Sequence, residues 1–198
     1  MTRPNPSRTA DRLALLGTLT AVFGELHPYF DQWGQRSEDA ALKGMHGDQK
    51  VWRDGVPVGE ETDDRTGQRT YTASQVGRRA AAHHVATYTA GQLAGTITVT
   101  RALGYRVPLR ALLAGAAVNG ATHFIIDRRE PLLWLAERTG KRGYIDHCHA
   151  VRISADGTPA PELSGPGTAL MELDQALHRA IGVAAAAVTA WLATRSAS

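Results

Sequence analysis

The stretch PLRALLAGAAVNGATHFIIDRR, residues 108–129, decides the fold class of this chain. Pro108 stands where a helix can begin, and the apolar residues after it recur at helical spacing. His123 and Asp127 lie four residues apart inside this apolar run, so both side chains project from one face of the helix. We therefore predict a core helix that carries two polar groups able to bind a metal or move a proton.

Other parts of the chain show the same helical periodicity. The β-branched, alternating segments that strands of an α/β protein require are missing. Ser74 is predicted to cap one of the helices and Gly104 to end it. The sequence therefore predicts an all-α helical bundle, whose further helices cover residues 10–34, 74–103, 130–140 and 167–194.

The domain organisation predicted is one helical domain, residues 10–198, behind a disordered tip, residues 1–9. The basic start and apolar run at the N-terminus are similar to a signal peptide, but the run is short and no clean small-residue cleavage site follows. A polar insertion at about 45–75 is expected to form a surface insertion or lid, with a small hairpin that turns at Asp54-Gly55. Residues 155–167 read as a loop by composition.

Composition and charge restrict the class of protein. The 198 residues are 43% hydrophobic and 21% charged, with 22 Lys+Arg against 19 Asp+Glu, and no concentrated basic stripe indicates nucleic-acid binding. A single cysteine, Cys148, excludes an intramolecular disulfide and is consistent with a reducing cytoplasm. The apolar run at residues 180–193 is too short to span a bilayer. We expect a soluble cytoplasmic protein, with peripheral membrane contact left open.

Three His/Asp pairs at a spacing of four residues predict a metal site. They lie in "HPYFD", "THFIID" and "DQALH", and a fourth apolar segment carries His83 and His84, of which one is expected to face the same centre. Mixed imidazole and carboxylate ligands suit Zn, Mn, Fe or Ni. The alternative is a buried His–Asp hydrogen-bond network without metal. The predicted ligands are His27, Asp31, His84, His123, Asp127, Asp174 and His178.

Cationic residues next to these pairs suggest a phosphorylated substrate. Lys43 follows the first pair, and Arg128 follows Asp127 directly; beside a metal-bound water such side chains would steady a phosphate. Asp31 or Asp174 is expected to be a general base if it is not a ligand. Of the weaker candidates, His46 lies in a Gly-rich loop, while His147 and His149 fall in a segment read as extended and could supply further ligands.

The polar motifs carry a resemblance to a known family. "HPYFDQW…KG", "HHVATYTAGQ", "THFIIDRREPL" and "DQALH" resemble the pattern of domain of unknown function 3307, an uncharacterised bacterial family, and its small actinobacterial members on phages and mobile elements. The resemblance covers residues 23 to 194 and favours His84 over His83. It implies recurrent polar positions at His27, Asp31, Gln32, Lys43, His84, Gln92, His123, Asp127, Asp174, Gln175 and His178. Many relatives look like integral membrane proteins. This chain departs from them, because its helices are shorter and are less apolar through their Ala and Thr content, and because it has the polar insertion at 45–75.

A looser likeness, of architecture alone, is to the zinc-dependent phospholipase C and nuclease group of helical enzymes. It implies a metal-dependent hydrolase of phosphoester bonds in a nucleotide, a nucleic-acid end or a lipid head group. The alternative is a non-catalytic helical protein of a mobile element that acts through a partner or the membrane surface. A phosphohydrolase of the HD type ranks last, because the only adjacent pair, Asp146-His147, has the reverse order. Ala- and Gly-rich helix faces also permit a homodimer.

Overall fold

Four long helices form the bundle in the computed structural model, which describes residues 6–195. They are α1 (Pro6–Pro28), α3 (Ala73–Ala102), α4 (Leu109–Asp127) and α7 (Ala169–Arg195). Three short helices, α2 (Ser37–Leu42), α5 (Glu130–Arg138) and α6 (Arg142–His147), complete the helical part of the described chain. The predicted all-α bundle is confirmed. Helix α1 begins at Pro6, so residues 6–9 are helical instead of part of a tip; residues 1–5 lie outside the described range.

The first helix changes character at Pro28. Proline lacks the N–H that an α-helix needs, and its ring crowds the preceding turn. The chain continues as a π-helical turn, Tyr29–Trp33, which closes with the Gly34 N–H donating to the Tyr29 carbonyl at 3.0 Å. Such single turns often occur at functional sites, and this one carries the buried carboxylate of Asp31. The helix predicted for residues 10–34 is therefore divided at Pro28, the residue whose place in a helix interior the sequence makes awkward.

Small residues let the long helices pack closely. A Cβ on Gly115 of α4 would overlap Thr189 of α7, and Cβ atoms on Gly91 and Gly95 of α3 would overlap Phe30 and Leu26. Close approach of this kind maximises the number of dispersion contacts per residue. The main apolar core lies between α1, α4 and α7, with Leu15, Leu19, Val22, Phe23, Ala111, Ala185, Ala186, Ala190 and Ala193 buried.

The predicted insertion is tied to α3. Strands β1 (Lys50–Val51) and β2 (Tyr71–Thr72) pair antiparallel, and buried Val51 packs on Val76 of α3. A tight turn at Asp54-Gly55 follows β1, as predicted, with Gly55 at φ +89°. Thr72, two residues before the predicted Ser74, caps α3 through a capping box with Gln75.

A second small sheet lies between α6 and α7. Strands β3 (Ala150–Ile153) and β4 (Pro159–Glu162) pair antiparallel, so the segment predicted as a loop contains a strand. Of the segment predicted to be extended, residues 144–153, the last four residues form β3; the prediction was wrong at His147, because α6 extends to that residue.

Helices α4 and α7 are each long and apolar enough to cross a membrane by length and composition alone. The core helix of a soluble protein can have the same length and composition, and 39% of the most apolar 18-residue stretch of each helix is buried inside the bundle. Both helices also carry buried polar side chains. These are His123 and Asp127 on α4, and His178 and Thr189 on α7. Neither helix contains a clean apolar run of membrane-spanning length, because polar residues interrupt both.

Candidate metal centre

Four side chains from three parts of the fold meet at the end of the bundle where α1 and α4 finish. Asp31 comes from the π-helical turn, His84 from the first half of α3, and His123 with Asp127 from the last turns of α4. All four are buried, and each offers one ligand atom within 4.8 Å of the others. We call Asp31, His84, His123 and Asp127 the four-donor cluster.

The donor atoms are spaced as metal ligands are. His84 Nε2 lies 3.0 Å from Asp31 Oδ1, 3.1 Å from His123 Nε2 and 3.5 Å from Asp127 Oδ2. His123 Nε2 lies 3.3 Å from each of the same two carboxylate oxygens. Tetrahedral ligands at zinc bond lengths are separated from one another by about 3.3–3.4 Å. The spacing of the cluster therefore fits one divalent ion.

Each carboxylate of the cluster is oriented by a second donor. Gln175 Nε2 donates to Asp31 Oδ2 at 3.0 Å, which leaves Oδ1 for the cluster. Lys43 Nζ contacts Asp127 Oδ1 at 3.0 Å, and Asp127 Oδ2 is buried without a hydrogen-bond partner in the described part of the chain. Outer hydrogen bonds to ligating carboxylates are typical of protein metal sites.

The two histidines of the cluster are held by ring packing instead. Their Nδ1 atoms have no hydrogen-bond partner among residues 6–195. The His123 ring lies 4.2 Å, centroid to centroid, from both Tyr88 and His178, and 5.1 Å from His84. Both Nε2 atoms are thereby directed at the carboxylates.

The charges of the cluster call for a cation. Two buried carboxylates face one ammonium, Lys43, and an uncompensated buried charge is costly. Burial alone would raise the pKa of Asp31, but hydrogen bonds with His123 and His84 hold it far below its usual range. Burial likewise opposes the lowering of the Asp127 pKa to about 2, which its hydrogen bond with His123 produces. Both carboxylates are therefore ionised.

His123 is the group that balances this charge with a proton. Burial disfavours its imidazolium form, but hydrogen bonds and charge attraction from Asp127 and Asp31 outweigh burial and raise the pKa. A proton on His123 and a divalent ion in the cluster satisfy the same electrostatic demand, and only one of them can use Nε2 at a time.

His27 lies next to the cluster, but the tautomer of its ring does not suit a metal ligand. The Gln92 amide donates to the Phe23 carbonyl at 3.1 Å and to Tyr88 Oη at 3.0 Å, so Gln92 is a fixed donor to that hydroxyl. The Tyr88 O–H must then donate to His27 Nδ1, 3.0 Å away. The neutral His27 ring consequently carries its own hydrogen on Nε2, where a metal ligand would need a lone pair.

The ionisation states of His27 and Tyr88 agree with this tautomer of His27. Burial lowers the pKa of His27 to about 4, so the ring is neutral near pH 7. Burial raises the pKa of Tyr88 to about 12, which keeps its hydroxyl proton in place. His27 Nε2 lies 3.7 Å from Asp31 Oδ2, on the side of that carboxylate away from the cluster. His27 is thus not one of the four donors whose ligand atoms lie within 4.8 Å of one another, although the sequence predicts it as a ligand.

The third pair adjoins the cluster through Asp127. His178 Nε2 lies 4.0 Å from Asp127 Oδ1, and Asp174 is the third member of a second group that could hold an ion. His178 is buried, whereas Asp174 is partly exposed.

A cleft of about 400 Å³ opens over the carboxylate side of the cluster. Its walls include Asp31, Asp127 and Asp174, with Lys43 and Arg129 as the cationic side chains; the cluster histidines lie behind the carboxylates. A ligand in the cleft would therefore reach the centre past its carboxylates.

Arg128 takes a different position from the one expected. Its guanidinium donates to the backbone carbonyls of Lys43 and Met45, so it braces the 43–45 segment against α4 and does not line the cleft. The next residue, Arg129, lines the cleft in its place. The prediction that Arg128 would contact a phosphate was therefore wrong by one residue along the chain.

Arg129 has a strained backbone. It is the single non-glycine residue in the described chain with positive φ, at +61° with ψ −46°. The Glu130 N–H donates to the Arg128 carbonyl across it at 2.6 Å, which makes a γ-turn of the rare, strained form. Strain of this kind at a non-glycine residue is often found at functional sites.

The other histidines lie outside the centre. His83 projects from another face of α3, where its Nδ1 lies 2.6 Å from Asp39 Oδ2, so the choice of His84 over His83 is confirmed. His147 Nδ1 donates to the Gly143 carbonyl at 2.5 Å, and His46 Nδ1 donates to the Gly44 carbonyl at 3.1 Å. His149 is likewise exposed.

No protein-family model, curated protein or solved structure matches this chain. The resemblance to domain of unknown function 3307 therefore stays a prediction. What the fold and the site define is a helical-bundle protein with a buried His/Asp cluster that could bind a metal ion.

Proposed function

We propose that this protein is a metal-dependent hydrolase of phosphoester bonds. The observation that carries the proposal is the four-donor cluster, whose four buried ligand atoms are spaced for one divalent ion, and whose two carboxylates line a cleft that also holds Lys43 and Arg129. His84, His123, Asp31 and Asp127 would hold the ion. A bound divalent ion supplies Lewis acidity, which polarises a phosphoryl oxygen and lowers the pKa of water.

The residues of the cleft support a phosphoryl substrate. Lys43 Nζ and the Arg129 guanidinium are the cationic groups of the cleft walls, and both are suitable donors to phosphoryl oxygens. Asp127 holds the Lys43 ammonium in place at 3.0 Å. In the reaction a water oxygen bonds to phosphorus, the phosphorus–oxygen bond to the leaving group breaks, and the proton lost by the water passes to solvent or to the leaving oxygen.

The chemistry of the donors indicates which metal to test first. A tetrahedral zinc ion would be closed by four protein ligands, whereas a six-coordinate Mn, Fe or Ni ion would keep two positions open to substrate. Mixed carboxylate and imidazole donors accept all four metals. Manganese and zinc are therefore the two ions to compare.

The decisive experiment is a matched pair of histidine variants. His84→Gln removes a ligand of the cluster, and His83→Gln changes the adjacent histidine, which pairs with Asp39 on another face of α3. We expect protein purified without a His-tag to contain near-stoichiometric metal by elemental analysis, retained in His83→Gln and lost in His84→Gln. Metal-dependent hydrolysis of p-nitrophenyl phosphate or bis(p-nitrophenyl) phosphate should follow the metal content.

Equal metal content in the two variants, or none in wild type after reconstitution with Mn²⁺ and Zn²⁺, would remove the proposal. The cluster would then be a buried hydrogen-bond network. If the protein binds metal but hydrolyses neither ester, the metal site stands and the proposed hydrolase activity is rejected.

A second candidate function, binding to an anionic membrane surface, is supported by the opposite end of the bundle. Residues 6–18, 93–118 and 185–195 contain one acidic residue, Asp11, against six arginines: Arg8, Arg12, Arg101, Arg106, Arg110 and Arg195. Exposed Leu13, Leu103, Leu109 and Trp191 belong to the same segments. Arginine next to exposed leucine and tryptophan is typical of surfaces that bind anionic lipid head groups.

Vesicle sedimentation tests this second candidate without reference to the metal. We expect binding to phosphatidylglycerol vesicles that decreases with salt and is weak on phosphatidylcholine. Leu103→Ser with Leu109→Ser should reduce it, and the exposed Ile153→Ser, on β3, is the control. Equal recovery with both lipids would reject a membrane role.

A further inference from the structure

The tautomer of His178 is defined by its own helix. His178 Nδ1 lies 2.9 Å from the backbone carbonyl oxygen of Asp174, and a carbonyl can only accept. The Nδ1 hydrogen therefore donates to that oxygen, and a neutral ring keeps a lone pair on Nε2. A histidine that donates one ring N–H to a backbone carbonyl and presents the other nitrogen bare has the form of a metal ligand.

The bare nitrogen of His178 has no partner. Its side chain is 1% exposed, and Nε2 is buried without a hydrogen bond among the residues that the structure describes. It faces Asp127 Oδ1 at 4.0 Å. Two acceptors facing one another in a buried space are unfavourable unless a cation or a proton lies between them.

Asp127 is shared between this position and the four-donor cluster. Its Oδ2 faces His84 and His123, and its Oδ1 faces His178. Asp174 supplies a third ligand atom within 4.8 Å of those of Asp127 and His178, and its Oδ2 lies 3.4 Å from His178 Nδ1, on the ring nitrogen that carries the hydrogen. His27, which stacks on the His178 ring at 5.1 Å, is excluded because its Nε2 carries a hydrogen.

We propose a second divalent-cation position, held by Asp127, Asp174 and His178, that shares Asp127 with the four-donor cluster and is the one that meets the substrate. The proposal rests on the proposed function. Four protein donors close a tetrahedral ion, as in structural sites, while three leave a coordination position open, as in catalytic ones. Asp127 and Asp174 line the cleft, so the open side of the second position faces it. Asp174 is then a ligand and not a general base.

Lys43 competes with an ion at the second position. Its Nζ already holds one side of Asp127 Oδ1 at 3.0 Å, on a side chain that is one-fifth exposed and free to withdraw toward the cleft. Replacing this ammonium with an apolar group of similar length should therefore tighten the second ion, which meets the ammonium on Oδ1, more than the first, which meets only Oδ2. A residue that only bound phosphate would not affect metal affinity.

The test is a count of ions in matched variants. We expect two Mn²⁺ or Zn²⁺ per chain in wild type and one in His178→Gln and in Asp174→Asn, both with a cooperative thermal melt. Glu172→Gln, an exposed acidic residue on the same helix, is the control and should keep two. Electron paramagnetic resonance of the manganese form should show two exchange-coupled ions in wild type and in Glu172→Gln, and a single uncoupled ion in His178→Gln. Lys43→Met should lower the second dissociation constant by tenfold or more.

The outcomes separate this proposal from the function on which it rests. One ion in wild type, unchanged in Asp174→Asn and His178→Gln, overturns the second position but leaves the four-donor cluster and hydrolysis intact. Two ions with hydrolysis lost and both ions retained in Asp174→Asn would make Asp174 the general base and also overturn the proposal. No ion in any form rejects both proposals.

Discussion

Binding of a divalent ion to the four-donor cluster should displace the proton that His123 carries in the metal-free protein. Interaction with Asp127 and Asp31 raises the pKa of His123 above its ordinary value of 6.5. At pH 6.0 a group with a pKa of 6.5 or more is at least about three-quarters protonated. Coordination needs a bare Nε2, so the first ion should release at least about three-quarters of a proton from this residue.

The neighbouring His27 should contribute almost nothing to this release. With its pKa lowered to about 4, it is about 1% protonated at pH 6.0. The sign of the linkage for His123 is the opposite of that for His27. A raised pKa stabilises the metal-free fold below pH 6.5, and this stability is lost as pH rises through the raised value.

The assay is calorimetric titration of metal-free protein with MnCl₂ at pH 6.0 in buffers of different ionisation enthalpy. The slope of the observed heat against that enthalpy counts the protons released. We expect the count to decrease at pH values above the raised pKa of His123, and His27→Gln to give the wild-type slope at pH 6.0. Binding without buffer dependence at pH 6.0 would refute the assignment of the proton to His123.

Further predictions concern stability and the cleft. Arg128→Met should lower the unfolding free energy by about 1–3 kcal/mol in urea titration, because two backbone carbonyls lose their donors. Arg129→Gly should raise it by about 1 kcal/mol by relieving positive φ, and should weaken the binding of inorganic phosphate to the metal-loaded protein; unchanged phosphate affinity would argue against this residue as a phosphate contact. Metal-free wild type should lose about 3 kcal/mol of stability between pH 6.5 and pH 4, since the unfolded chain binds a proton at His27 that the folded chain excludes, and His27→Gln should lack this part of the pH dependence. Gly115→Ala should lower stability by about 1–3 kcal/mol through overlap with Thr189, seen as a lower Tm.

Local pattern was sufficient to predict the bundle and most of the polar cluster. Apolar residues at helical spacing identified α4 and α7, and the spacing of four in "THFIID" correctly put His123 and Asp127 on one buried face. The same reasoning treated His27 and Asp31 as an equivalent pair. It could not show that Pro28 would produce a π-helical turn between them and direct only Asp31 into the cluster.

Long-range hydrogen bonds decided what the pattern left open. The tautomer of His27 depends on Tyr88 and Gln92, which are about sixty residues away in sequence. The exchange of roles between Arg128 and Arg129 depends on carbonyls of the 43–45 segment. Neither partner can be identified by periodicity, because periodicity reports which face a residue occupies and not what lies opposite.

By itself, the amino-acid sequence determined that this protein is a helical bundle and that His and Asp residues recur on its buried helix faces, since burial and spacing are local properties of each helix. The tertiary structure alone decided which of these residues meet: Asp31, His84, His123 and Asp127 around one point, His178 with a bare nitrogen beside them, and His27 outside. The physical reason is that ligand geometry is set by distances of a few ångströms between separate helices, and these distances follow from how the helices pack.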